Sequence, residues 1–237
     1  WKYASGANHA THFTANAYLL DENGAQIMEY DKPTFRSFII EAQHILNHKN
    51  WNAIGLKATS SNDFEAIDVF VPEQQTFTLL RPSSFAQGTL YKFPFEQMAV
   101  VNMCCMVSGM ALHFIDLSVA LAATKQPLHD ERLLKDNDRA IQIFEAATTT
   151  FYNARTAMYK LLQQIWDDLD ANKTIAATDL KQLSDNARAM ANTGSTLINQ
   201  LYPLCGMSIL NPQSAMNKVW RDAATASQHY LLSPLKA

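Results

Sequence analysis

The stretch Phe93-Pro94-Phe95-Glu96-Gln97-Met98-Ala99-Val100-Val101-Asn102-Met103-Cys104-Cys105-Met106 marks a change in how the chain is written. Half of the eight prolines and four of the seven glycines lie before residue 95, and the segments between them are short and rich in aromatic and β-branched residues. After Pro94 such punctuation thins out and apolar residues recur at steps of three and four, the period of a helix packed along one stripe. The sequence therefore reads as an α+β protein: a small antiparallel β-domain, barrel or sandwich, over residues 1–93, then a four-helix bundle over 94–237.

In the first part, His9 to Leu20 reads as a strand, and Asp21-Glu22-Asn23-Gly24 supplies the turn that follows it. Phe35 to Ile40 and Phe64 to Val71 read as two further strands, the second stopped by Pro72. In the second part, a helix is expected over about 95–123. A second, over about 138–169, repeats Phe144, Phe151, Met158 and Ile165 every seven residues and would extend roughly 45 Å. A third sets Leu180, Leu183, Ala187, Met190, Gly194, Leu197 and Leu201 along a bundle seam, with Gly194 as its weak point. A fourth is expected to begin at Asn211-Pro212, a cap followed by the proline that a first helical turn tolerates, and to end near Ser233-Pro234. Short loops between long helices imply an up-and-down bundle.

Composition excludes several classes. The 237 residues are 48% hydrophobic and 17% charged, ordinary for a globular protein. A net charge of -3 gives no basis for a nucleic-acid partner or an anionic membrane surface. Met98 to Ala123 has the length of a membrane span, but Asn102, His113 and Asp116 lie well inside it, so a central bundle helix is the expected role and no membrane partner is implied. Cys104, Cys105 and Cys205 form neither a CxxC pair nor an even framework; with no signal peptide ahead of Trp1, the expected compartment is the reducing cytoplasm.

Three local patterns carry a resemblance. Trp51-Asn-Ala-Ile-Gly55-Leu-Lys-Ala-Thr59-Ser60-Ser61-Asn-Asp63, continuing to Asp68-Val-Phe-Val-Pro72-Glu, resembles the W-x-x-x-G-[LM]-[RK]-x-T-[GS]-S-x-D…D-V-x-V-P block of acyl-CoA dehydrogenase-like proteins. Trp1-Lys-Tyr-Ala-Ser5-Gly6-Ala-Asn-His9-Ala10 resembles the opening of that superfamily's middle β-domain, in the S-G-x-x-H-A form of its two-component flavin monooxygenases. Trp220-Arg221-Asp222, followed at position 229 by histidine, is similar to their R-D-x-x-x-x-x-x-H helix. The resemblance covers nearly the whole chain. It implies a flavin, FAD or FMN, held between the β-domain and the bundle, a homodimer or homotetramer, and an N-terminal helical domain that this chain lacks.

The same resemblance implies the site. Ser5 and Gly6 would meet the flavin ring near N5, and Thr59, Ser60 and Ser61 would line it, while His229 would be the catalytic residue. Arg221-Asp222 reads as a structural pair, and Arg155 as a maker of surface ion pairs. Departures point away from dehydrogenation: Gln213 stands where dehydrogenases of the family carry a catalytic glutamate, and a glutamine cannot take the substrate's α-proton. The family's R-x-x-F-G-x-P-L segment appears as Leu121-Ala-Ala-Thr-Lys125-Gln-Pro127-Leu128 without its arginine, which leaves Lys125 or Arg132 for the pyrophosphate. The expected activity is therefore a flavin-dependent monooxygenation of a small organic substrate, with reduced flavin delivered by a separate flavin reductase. An acyl-CoA dehydrogenase and a non-catalytic fragment or paralogue kept for assembly are the alternatives. Glu41, His44 and His48 have a ligand-like spacing but no partner motif on the helices, so no metal is expected.

Overall fold

The computed structural model describes residues 1–78 and 86–233, and its contacts divide the chain into two compact units, Trp1–Gln87 and Gly88–Ala237. The division read from the sequence, at 93/94, differs by the short helix that opens the second unit.

In the first unit, β1 (His12–Tyr18), β4 (Phe35–Glu41) and β7 (Thr76–Phe77) form a three-stranded antiparallel sheet in the order β1-β4-β7. Two-stranded ladders join β2 (Met28–Glu29) to β3 (Lys32–Pro33) and β5 (Leu46–Asn47) to β6 (Phe64–Glu65). The period of two sets the buried face: Phe13 pairs with Ile40 and Ala15 with Phe38, so the inward residues of β1 and β4 meet. Phe64 completes the core by packing on Phe13 with ring centroids 5.0 Å apart and stacking on Trp1 at 5.2 Å. The run expected as a strand from Phe64 to Val71 keeps only Phe64–Glu65 in a ladder. Asp68 adopts a left-handed conformation, φ 53°. Inward positions are therefore even before it, at Phe64 and Ala66, and odd after it, at Val69 and Val71, a parity change that an uninterrupted strand cannot make.

The second unit opens with α1 (Thr89–Lys92), whose Lys92 ammonium donates to Asn172 Oδ1 at 2.8 Å, just past the C-terminus of α3. It continues through α2 (Phe95–Ala122), α3 (Asp138–Asp170), α4 (Ala177–Leu201) and α5 (Ala215–Ala226). Asn137 caps α3 by accepting the Ala140 amide at 3.0 Å. α4 packs against both α2 and α3, and α5 packs against α2. Among the described residues, α2 is the one helix long and apolar enough to cross a membrane. In this unit Val100, Cys104, Val107, Ala111 and Phe114 are fully enclosed, while Asn102, His113 and Asp116 face outward. The seam of α4 is as the spacing implies, with Leu183, Ala187, Met190, Leu197 and Leu201 buried. Gly194 is no loose spot, because a Cβ there would meet Ala111 Cβ at 3.2 Å and the Phe151 ring at 3.3 Å. The missing side chain lets three helices approach.

The last helix departs from the reading at both ends. Its cap is Ser214, whose hydroxyl accepts the Asn217 amide at 3.1 Å. Asn211 instead closes a turn on Gln213 at 3.0 Å, at the end of a 3₁₀ segment, Tyr202–Leu210. The helix stops at Ala226, where Thr225 and Ser227 turn their hydroxyls back onto the carbonyls of Arg221 and Ala224, a competition that weakens a helical turn. Pro234 lies outside the described residues.

Candidate functional site

In the first unit, three of the four hydroxyl residues singled out in the sequence, Ser5, Thr59 and Ser61, come together. Ala4 and Asn62 form an isolated antiparallel bridge, and Gly6 donates its amide to the Thr59 carbonyl at 2.7 Å. Gly6 has φ +87°, a conformation that a side chain would strain. Opposite, Leu56 and Ser60 both adopt left-handed conformations, φ 49° and 47°, and bracket the 3₁₀ turn Lys57–Thr59. That turn brings Thr59 and Ser61 up to Ser5. Ser61 is buried, its Oγ 2.9 Å from Ser5 Oγ and 2.7 Å from Thr59 Oγ1. Ser60 points elsewhere and accepts from Asn8 Nδ2 at 3.0 Å.

The direction of this hydroxyl chain follows from counting protons. Thr59 Oγ1 lies 2.8 Å from the Leu56 carbonyl, an acceptor only, so the single proton of Thr59 is spent there. Ser61 must then donate to Thr59, and Ser5 must donate to Ser61. Ser5 Oγ is left with lone pairs and no proton to offer, so it presents an acceptor at the exposed end of the chain. The Leu56 carbonyl is held in turn by the Trp51 indole N–H at 3.0 Å. Asn62, 2% exposed, locks the base: its Oδ1 accepts the Trp51 amide and its Nδ2 donates to Asn8 Oδ1, both at 2.9 Å. Asn62 and Asn8 were not singled out in the sequence, although Asn62 lies inside the Trp51–Asp63 block and a buried asparagine generally has its hydrogen bonds met.

In the second unit, His229 is not on the helix that carries Arg221 and Asp222, contrary to the R-D-x-x-x-x-x-x-H helix that the resemblance implies. It lies beyond the end of α5 and caps the 3₁₀ turn Tyr230–Leu232, its Nδ1 accepting the Leu231 amide at 3.2 Å. A ring nitrogen that accepts carries no proton, so the neutral imidazole bears its hydrogen on Nε2. Tyr230 packs against the ring with centroids 5.0 Å apart. Arg221 Nε donates to Asn217 Oδ1 at 2.7 Å and its Nη2 to the Pro212 carbonyl at 3.1 Å, which fastens the turn ahead of α5. Gln213 is exposed in that turn.

The two cations considered for a pyrophosphate are engaged within the bundle. Lys125 donates to the Cys205 carbonyl at 2.5 Å. Arg132 pairs with Asp130 at 3.4 Å and Asp138 at 3.2 Å. The Arg132 amide and the Asn137 side chain, both donating to Asp130, hold its carboxyl below the usual range. Arg155, expected in an ion pair, instead lies over the Tyr159 ring, 4.7 Å from its centroid, with a buried Nε that has no hydrogen-bond partner among the described residues. Glu41, His44 and His48 do not converge: His48 turns to Glu65 at 3.0 Å, and Gln43 donates to Glu41 at 2.6 Å.

Residues 101–234 match the family model of the acyl-CoA dehydrogenase C-terminal domain. The chain is 22% identical to a pigment production hydroxylase of Rhodococcus erythropolis over 249 aligned residues, 99% of this chain and 61% of that protein. It is 20% identical to an indole-3-acetate monooxygenase of Acinetobacter baumannii, with 97% and 57% covered. The fold is that of XiaF from a Streptomyces species, solved in complex with FADH2 and glycerol, at a TM-score of 0.86 and 18% identity, covering 98% of this chain and 59% of XiaF. The chain thus spans about three fifths of the length of these curated relatives.

Proposed function

We propose, for a chain that belongs to the acyl-CoA dehydrogenase family by the match over residues 101–234, the function of the oxygenase component of a two-component flavin-dependent monooxygenase. Bound reduced flavin, FAD or FMN, would supply the activation of dioxygen, and a small organic substrate would receive one oxygen atom. A separate reductase would deliver the reduced flavin. The working protein would be a cytoplasmic homo-oligomer, dimer or tetramer.

One observation carries the reading. The hydroxyl chain from Thr59 through Ser61 ends on Ser5 as an acceptor. Reduced flavin carries a proton on N5 and oxidised flavin does not, so an acceptor at this end favours the reduced form. Gly6 keeps the approach open beside it, since its Cα bears no side chain. The Trp51 and Asn62 anchors hold the chain in place, so its polarity need not be rearranged when the flavin arrives. Lys125 and Arg132, engaged as they are, do not serve the flavin pyrophosphate in this reading. His229, with its proton on Nε2, would offer a hydrogen bond to the reacting oxygen and keep the neutral ring from acting as a base at that nitrogen.

The test uses the full-length protein. Anaerobic titration should show tighter binding of reduced than of oxidised flavin. Ser5→Ala should weaken the reduced form alone by about fivefold, the worth of one hydrogen bond of roughly 1 kcal/mol. His229→Ala should retain flavin and release hydrogen peroxide, with product per reduced flavin falling by about 10²–10⁴. Equal binding of the two redox forms, unimpaired coupling in His229→Ala, or rapid bleaching of bound flavin by acyl-CoA thioesters would each overturn the reading.

A further inference from the structure

Arg188 stands on α4 with a side chain only 15% exposed, and among the described residues the nearest carboxylate oxygen, on Asp185, is 3.6 Å away. A guanidinium so placed has lost most of its water, and that loss must be met by fixed acceptors. Asp185 is shared, because Lys181 holds its other oxygen at 2.7 Å. Among the described residues the closest acceptor of Arg188 is a backbone one: Nε donates to the carbonyl of Leu231 at 3.0 Å. Leu231 is buried, and its amide is the donor to His229 Nδ1.

We infer that Arg188 is the positioning residue of His229, holding Leu231 from the carbonyl side so that its amide fixes the ring and keeps the imidazole proton on Nε2. The inference rests on the reading of His229 given above. The segment after α5 is one 3₁₀ turn that packs on α2 with Leu231 and Leu232 buried, and a single turn holds no geometry by itself. Arg188 bonds it to α4, a helix enclosed between α2 and α3. A lysine cannot replace this fork, because one ammonium cannot reach Asp185 and the Leu231 carbonyl along a guanidinium's two fixed directions.

The experiment reads the tautomer directly. In full-length protein labelled with ¹⁵N-histidine, every histidine, the seven of this sequence among them, gives ring-nitrogen resonances, and His229→Gln identifies the signal of interest. Wild type should show a single Nε2–H tautomer at His229. Arg188→Met should mix the tautomers and lower product per reduced flavin by about 10–10² with KM little changed, the scale on which a displaced catalytic group acts. Arg188→Lys should fall between the two, and it carries the test if the methionine variant does not fold. A folded Arg188→Met with the wild-type tautomer and coupling overturns the inference, as does a lysine variant indistinguishable from wild type in both readouts. The tautomer reports on Arg188 whether or not His229→Ala impairs coupling, so failure here is distinct from failure of the functional reading.

Discussion

Gly194→Ala sets two known effects against each other in the bundle core. In an exposed helix the change is stabilising by about 1 kcal/mol, since glycine has the larger backbone freedom to lose. Here the new methyl would lie 3.2 Å from Ala111 Cβ and 3.3 Å from Phe151 Cε2, inside ordinary carbon–carbon contact. Neither neighbour can easily yield: Ala111 is fixed to the backbone of α2, and the Phe151 ring is fully buried. Overpacking of this kind costs about 1–3 kcal/mol, so the expected net effect is a loss of about 1 kcal/mol. Phe151→Leu removes ring atoms at the clash, and in that background Gly194→Ala should be neutral or stabilising, a coupling of about 1–2 kcal/mol. Urea unfolding followed by helical circular dichroism measures all four corners of the cycle. A coupling below about 0.5 kcal/mol, or a stabilising Gly194→Ala in the wild-type background, would refute the claim that Gly194 marks the close approach of three helices.

Two further outcomes are expected. Asn137→Ala removes the acceptor of the Ala140 amide and should cost the bundle about 1 kcal/mol in the same assay. Burial pushes the Cys104 thiol up to about 12 and the Cys205 thiol up to about 11, from an ordinary 9.0. The unfolded chain therefore releases these protons from about pH 9 while the folded bundle retains them, so stability should fall as pH rises from about 9 until the folded thiols ionise. Stability measured against pH should show a shallower fall in Cys104→Ala, and an unchanged slope would show that the buried thiol is not the linked group.

The long helices were legible because their apolar period is repeated many times over, and one irregular residue does not obscure it. Local breaks were not. The run from Phe64 to Val71 has the composition of a strand, and nothing in that composition marks Asp68 as the residue that turns left-handed and shifts the inward parity. At the start of α5, Asn211 and Ser214 are both good caps. The choice between them depends on the 3₁₀ segment that delivers the chain to Ser214, a property of those nine residues more than of either cap. Gly194 shows the same limit: within one helix a glycine is a deficit, and its use appears only when the residues of two other helices are known.

The site divides along the same line. In the first unit the motif points to Ser5, Thr59, Ser60 and Ser61, in blocks that follow the family pattern almost letter for letter, and all but Ser60 meet in one hydroxyl chain. Which way their protons point could not be read from a motif. That polarity begins at the Leu56 carbonyl, and Leu56 is apolar, its side chain irrelevant to the chain of hydroxyls. It contributes a backbone oxygen, aimed by a left-handed conformation that a leucine sequence does not advertise. Reverse that one donor–acceptor relation and Ser5 could offer a proton outward, which would suit the unprotonated N5 of an oxidised flavin. The chemistry proposed for the site thus depends on a main-chain dihedral angle as much as on any of the side chains that a sequence comparison would align.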